Sequence, residues 1–354
     1  MTARDARLEL ISQWLAGLPG WPASPRIEPA SADASFRRYF RAWRADGGTR
    51  VVMDAPPDLE DTAPYLKVTR LLADCGVHVP AVDAADAARG FLLLEDLGSL
   101  PLLARLRASQ ATGGHVRHAA DTADALYGDA LGALLRIQRL GRCDALAPYD
   151  TAVLQREMRL LPEWYLARHL GLEPTAEDRE VFAAAEAFLV REALAQPVVL
   201  VHRDYHSRNL MVTRERGVGI IDFQDALAGP LGYDLASLLK DCYIAWPRAR
   251  VTGWLRDYRA RLAAEGGPAG AGDDEFLRWF DAIGLQRHIK VLGVFARLWH
   301  RDGTIGYLDD LPLTLAYVLD AAARFPELAP FHAWARRRLA PGLALANARA
   351  RAAA

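Results

Sequence analysis

The segment His202-Arg203-Asp204-Tyr205-His206-Ser207-Arg208-Asn209, with Asp222-Phe223 thirteen residues further on, constrains this chain more than any other stretch. The pattern is H-x-D-x-x-x-x-N followed by D-F. An apolar run, Pro197 to Val201, leads into the first part, and a second, Val218 to Ile221, leads into Asp222. Paired as a two-stranded ribbon, these runs would bring the oxygen-bearing side chains of Asp204, Asn209 and Asp222 to one end. A carboxylate, an amide and a second carboxylate together can accept a proton and hold a hard divalent cation. A lone H-x-D says little, because surface histidines and aspartates are common. Two such motifs in order, each after a strand, are specific.

With 354 residues the chain can build two lobes, each with its own core. The net charge of −1 gives no general electrostatic case for nucleic acid or an acidic membrane surface. No apolar run has the length of a membrane span. The N-terminal stretch has scattered charges in place of a signal-peptide core, and reads as an amphipathic helix stopped by Gly20-Trp21-Pro22. Cys75, Cys143 and Cys242 have neither CxxC nor zinc spacing and are expected as buried thiols in a reducing cytoplasm.

Strands are expected over Arg26–Ala30, Phe36–Trp43 and Thr49–Met53, the last two joined by the hairpin turn Asp46-Gly47-Gly48. Helical spacing runs from Asp58 to Asp74, and two further strands are read at Val79–Val82 and Phe91–Leu94. From Ser99 onward the pattern is helical except for the ribbon around 198–222. Loops are signalled at Ala111–His115 and Glu265–Asp274, and the Ala/Arg-rich tail after Pro341 reads as frayed. This gives an α+β chain of two lobes: a small one with an antiparallel sheet (residues 1–96) and a large, mainly helical one (residues 97–354).

On these motifs the chain resembles the aminoglycoside-phosphotransferase branch of the kinase-like superfamily. Within that branch it is similar to bacterial cell-wall amino-sugar kinases. The resembling segments are ADASFRRYFR (32–41), VVMDAPP (51–57), LLLEDLG (92–98), VHRDYHSRNLMV (201–212), IIDFQDALAGPLGYDLASLL (220–239) and QRHIKVLGVFARL (286–298). The resemblance implies a bilobal protein-kinase-like fold and phosphorylation of the anomeric hydroxyl of N-acetylmuramate or N-acetylglucosamine in peptidoglycan recycling. The implied cofactors are ATP and Mg²⁺, and the implied setting is a cytoplasmic monomer acting on a small amino sugar, with no nucleic-acid or membrane partner. Asp204 would be the catalytic aspartate, with Asn209 and Asp222 as metal ligands. The nucleotide would meet Ser35, Phe36, Arg37 and Arg38 in the phosphate-covering loop and Glu95, Asp96 and Leu97 at the hinge. Asp234 would either brace the catalytic loop or cap its own helix.

The chain also departs from the protein-kinase pattern. His206 stands where those enzymes have lysine. The nine residues between Asp222 and Gly232 leave no activation loop, which disfavours a protein substrate. The strand that should carry a phosphate-pairing lysine reads Val51-Val52-Met53-Asp54, and no lysine precedes Lys67. One of Arg37, Arg38, Arg41 or Lys67 is expected to substitute. On a helical wheel Arg287, Lys290, Arg297 and Arg301 share one arc, with Val291, Leu292, Phe295, Leu298 and Trp299 opposite. This basic face is either solvated or the wall of an acceptor cleft, where it would suit the lactyl carboxylate of N-acetylmuramate and repel a polycation.

Tyr243, Trp246 and Trp299 are candidates to stack on a sugar, and Arg208 and Asp225 to hydrogen-bond it. His202 and His206 lack a third soft ligand for zinc and are expected to hydrogen-bond the loop; His288 reads as a core or cleft-edge residue. The competing readings are a kinase of another small alcohol, such as an aminoglycoside, choline or homoserine, and a nucleotide-binding pseudokinase.

Overall fold

The computed structural model describes residues 5–32, 36–113, 122–213, 217–270 and 272–354. Contacts divide the chain into two compact units: Met1–Leu102 with Leu210–Asp225, and Leu103–Asn209 with Ala226–Ala354. This differs from a single cut after residue 96, because a hairpin from the second half of the chain clusters with the first unit.

In the first unit, α1 (Ala6–Ala16) starts at Asp5, whose carboxylate accepts from the Arg7 and Leu8 amides. Its apolar residues Ile11, Trp14 and Leu15 pack on Phe40, Val52, Phe91 and Leu93 of the sheet. That sheet comprises β1 (Ile27–Ala32), β2 (Arg38–Trp43), β3 (Thr49–Asp54), β4 (Val82–Asp86) and β5 (Phe91–Glu95). All neighbours are antiparallel, in the order β1-β2-β3-β5-β4. The β2–β3 hairpin turns as the sequence implies, with Gly47 at φ +85° and Asp46 accepting from the Gly48 amide.

Two boundaries move from their expected places. The helix α2 (Ala63–Asp74) starts later than Asp58, with Pro64 in its first turn and Asp61 accepting from the Ala63 amide. Strand β4 begins at Val82, where the Val79–Val82 reading would end, because Pro80 has no N–H for a ladder.

The expected ribbon pairs differently. The run at β6 (Val198–Val201) joins β9 (Leu227–Pro230), and β8 (Val218–Ile220) joins β7 (Leu210–Val212). Both partner strands are short and were not read from the sequence. The β7–β8 hairpin belongs to the first unit: the Ile220 amide donates to the His78 carbonyl and the Val212 amide to that of Leu100. A Cβ on Gly219 would lie 2.7 Å from Leu97 Cδ1, so a larger residue there would require the Leu97 side chain to shift.

The second unit is helical: α3 (Leu102–Ala111), α4 (Ala123–Leu140), α5 (Thr151–Met158), a π-helical stretch Leu161–His169, α6 (Ala176–Leu194), α7 (Gly232–Leu239), α8 (Arg248–Ala264), α9 (Asp273–Asp302), α10 (Leu311–Ala322), α11 (Ala329–Arg338) and α12 (Leu343–Ala353). The tail after Pro341 is therefore a docked helix. Asn347 is buried, donating to the Leu308 carbonyl and pairing through Oδ1 with His169 Nε2. Among the described residues no helix is long and apolar enough to cross a membrane.

The 30-residue α9 organises this unit, packing along α7, α10 and the Leu161–His169 stretch. The last approach is so close that a Cβ on Gly293 would lie 2.3 Å from the backbone carbonyl carbon of Leu160. Backbone cannot move aside as a flexible side chain can. Gly293→Ala is expected to cost about 3 kcal/mol and lower Tm by roughly 4 °C. Thermal unfolding checks this, and an unchanged Tm would mean that the contact yields.

Candidate active site

The segment after β6 forms a loop clamped from three sides within the second unit. Asp234, fully buried in the first turn of α7, accepts the His202 amide at 2.7 Å and the Arg203 amide at 3.0 Å. Its carboxylate thus braces the loop and does not cap its own helix. Burial pushes its pKa up to about 7, against the pull of those two amides. From a second side, Asp241 accepts the Ser207 amide and hydroxyl and the Tyr243 amide. From the third, the buried Tyr205 hydroxyl donates to the Ala130 carbonyl on α4.

Inside the loop, Asp204 N–H donates to His202 Nδ1 at 3.2 Å, so the His202 ring proton sits on Nε2. The Asn209 amide nitrogen donates to the Asp204 carbonyl at 3.1 Å, which turns its oxygen the other way. Arg203 takes φ +76° and Asp222 φ +63°, the two described non-glycine residues in the left-handed region. Both lie in the motifs, and strain of this kind persists where surrounding structure over-determines it.

The electrostatics favour an ionised Asp204. Burial, the largest single influence, would raise its pKa, but the charges of Lys290, His206, Arg287 and Arg203 together outweigh it, and the carboxyl is held at about 2. Behind it lies a cluster that sequence reading missed. Buried Glu157 of α5 accepts from Lys290 Nζ at 3.1 Å and also from Arg203 and Tyr149. Burial opposes the Glu157 charge, while Lys290 and Arg203 keep its pKa low. Lys290 also donates to the Tyr233 hydroxyl at 3.2 Å.

A cavity of about 140 Å³ opens beside Asp204 in this unit. It is lined by Asp204, His206, Cys242, Tyr243, Arg287, Lys290, Val291, Val294, Phe295, Leu298 and Tyr307. The basic arc of α9 therefore divides. Arg287 and Lys290 face the cavity, whereas Arg297 does not line it and Arg301 is exposed and paired with Asp302. Val291, Phe295 and Leu298, expected on the opposite side, line the same cavity, because an enclosing wall spans a wider arc than a salt-bridged face.

Of the proposed acceptor contacts, Tyr243 is in the wall. Arg208 stacks on it with the guanidinium 3.5 Å from the ring centroid and pairs with Asp310 at 3.6 Å. Trp246 is placed elsewhere: its indole N–H donates to Tyr127, and it packs edge-on against Trp254. Trp299 does not line the cavity either. Asp225 is exposed in the first unit beside Gln224. His288 is a core residue, bonded to the Lys240 carbonyl at 2.8 Å. Tyr307, Asp241, Asp310 and Glu157 gave no signal beyond residue type, since nothing in their spacing separates them from surface residues.

In the first unit, Asp222 Oδ1 accepts from Gln224 Nε2, and Phe223 packs on Tyr65. Glu95 is bonded to His78 and the Ala81 amide, and Asp96 to Arg41 and the Gly98 amide. Of the cations considered for the absent strand lysine, Arg38 is held by Asp5 and by Asp54, which also takes Arg7. Arg41 is held by Asp96. Lys67 is exposed on α2. Phe36 is exposed, and Ser35 lies outside the described residues. Cys75 and Cys242 are buried thiols; Cys143 is only partly covered.

The family model described as the phosphotransferase enzyme family matches residues 26–279. The chain belongs to that family. An N-acetylmuramate/N-acetylglucosamine kinase of Pseudomonas aeruginosa is 46% identical over 334 residues, covering 92% of this chain and 95% of the relative. The protein of the same name from Pseudomonas putida is 44% identical over 338 residues, covering 93% and 96%. Among solved structures, choline kinase LicA from Streptococcus pneumoniae aligns with a TM-score of 0.59 at 13% identity, covering 88% of this phosphotransferase and 99% of that chain. At such low identity the likeness establishes the kinase-like fold alone.

Proposed function

We propose that the chain transfers the γ-phosphoryl group of ATP to the anomeric hydroxyl of N-acetylmuramate or N-acetylglucosamine, yielding a sugar 1-phosphate for peptidoglycan recycling. The observation carrying this reading is the match to N-acetylmuramate/N-acetylglucosamine kinases over more than nine-tenths of the chain. The cavity at Asp204 agrees with it: a carboxylate, cations, aromatic rings and an apolar wall suit a small neutral or acidic sugar. The chain is taken to act as a cytoplasmic monomer.

Asp204 would orient the acceptor hydroxyl and receive its proton, with the loop held still by Asp234, Asp241 and Tyr205. An amide oxygen and a carboxylate are hard donors, so Asn209 and Asp222 fit Mg²⁺. Held by these two side chains, such an ion would supply positive charge to offset that of the phosphates. The nucleotide would meet the Glu95–Leu97 backbone and the loop around Ser35 to Arg38.

Cations at Asp204 disfavour an aminoglycoside or choline acceptor, and the complete Asp204, Asn209 and Asp222 set disfavours a pseudokinase. ATP consumption over a panel of N-acetylmuramate, N-acetylglucosamine, choline, homoserine and kanamycin tests the reading. Turnover is expected with the amino sugars, with a phosphorus NMR signal coupled to the anomeric proton. Turnover confined to choline, homoserine or kanamycin would overturn it, as would phosphate on another sugar hydroxyl.

A further inference from the structure

We propose that Arg287 is the residue that selects acceptors carrying a carboxylate; this rests on the amino-sugar reading above. The inference comes from how the cations near Asp204 are already partnered. Lys290 has Glu157 at 3.1 Å and the Tyr233 hydroxyl at 3.2 Å. Arg208 has the Tyr243 ring and Asp310. Arg203 is bound to Glu157. Arg287 differs. It is 4% exposed and lines the cavity, and its polar contact among the described residues is the Cys242 thiol, 3.7 Å from Nη1.

A thiol is a weak acceptor, whereas a guanidinium presents five N–H donors in a fixed fork. Burying such a group is costly unless its charge is matched, and Asp204 contributes from within the same cavity without an ion pair to it. The fork matches the two oxygens of a carboxylate. Beside it on α9, Val291, Val294 and Phe295 offer an apolar wall for small methyl groups. N-acetylmuramate differs from N-acetylglucosamine by a lactyl ether, which is a carboxylate next to a methyl. Arg287 with this wall is complementary to that substituent, and Lys290 is assigned to pairing with Glu157 and keeping Asp204 ionised.

The test is kcat/KM for both sugars with purified wild-type chain, Arg287→Gln and Arg287→Lys. Losing one charge-assisted pair is expected to make the loss on N-acetylmuramate exceed that on N-acetylglucosamine by about ten- to hundredfold. The excess should be carried in KM, with Arg287→Lys intermediate because it keeps charge and loses the fork. Equal losses on the two sugars, or a raised KM for ATP with no sugar preference, would assign Arg287 to phosphate or to structure and overturn the proposal. A substrate-side measurement covers the case in which the variants fail to fold. With wild-type chain, the methyl ester of N-acetylmuramate should be about ten- to hundredfold poorer than the free acid; equal rates would overturn the proposal. If the wild type uses neither sugar, the amino-sugar reading itself falls. If it uses both and the losses are equal, only the role of Arg287 falls.

Discussion

Asp204→Asn is expected to lower kcat by roughly 10²–10⁴ while ATP still binds. The substitution keeps the side-chain shape and one acceptor oxygen but removes the charge and the site for the proton. It also removes the countercharge that Lys290, His206, Arg287 and Arg203 act upon. A carboxyl held at about 2 is a weak base, so its contribution lies in orienting the hydroxyl and taking the proton late, as a loose transition state permits. The sign of the shift also bears on pH. A depressed carboxyl stays ionised from neutral pH through its ordinary range and is protonated only as pH falls through about 2. An acid limb of the wild-type profile above about pH 4 is therefore not expected from Asp204. Single-turnover kinetics and nucleotide titration check the pair of claims, and near-normal kcat in Asp204→Asn would remove Asp204 from the chemistry.

Asp222→Asn is expected to be nearly as severe, with kcat down by roughly 10²–10³ and a Mg²⁺ requirement shifted to higher concentration. Asparagine is the informative choice because Asp222 sits at φ +63°, a conformation that Asn tolerates and Ala resists. Backbone strain is then held constant while charge is removed. Asn209→Ala should shift the Mg²⁺ midpoint less, since an amide ligates without neutralising. A Mg²⁺ titration of the three proteins decides this. An unchanged midpoint in both variants would mean that the metal is held elsewhere.

Asp204, Asn209 and Asp222 can be proposed from sequence alone because phosphoryl transfer ties residue type to spacing. Local turn chemistry made the β2–β3 hairpin legible in the same way. The pairing of β6 with β9 was not legible. Four-residue strands carry too little pattern to name a partner, and Leu227–Pro230 carries no strand signal because it contains both Gly229 and Pro230. Periodicity found the basic face of α9 but could not divide it. Whether Arg287 meets a cavity or a carboxylate depends on α5 and α7, which are remote in sequence. Glu157 was missed for the same reason: a buried glutamate and a solvated one look alike until its partners Lys290 and Arg203 are in place.

The last helix links the far end of the chain to the cavity beside Asp204. Asn347 holds the Leu308 carbonyl, and the adjacent Tyr307 lines the cavity with the Arg208 guanidinium 5.6 Å from its ring. An Ala/Arg-rich stretch that looks disposable is in effect a buttress for the wall of the cavity beside Asp204.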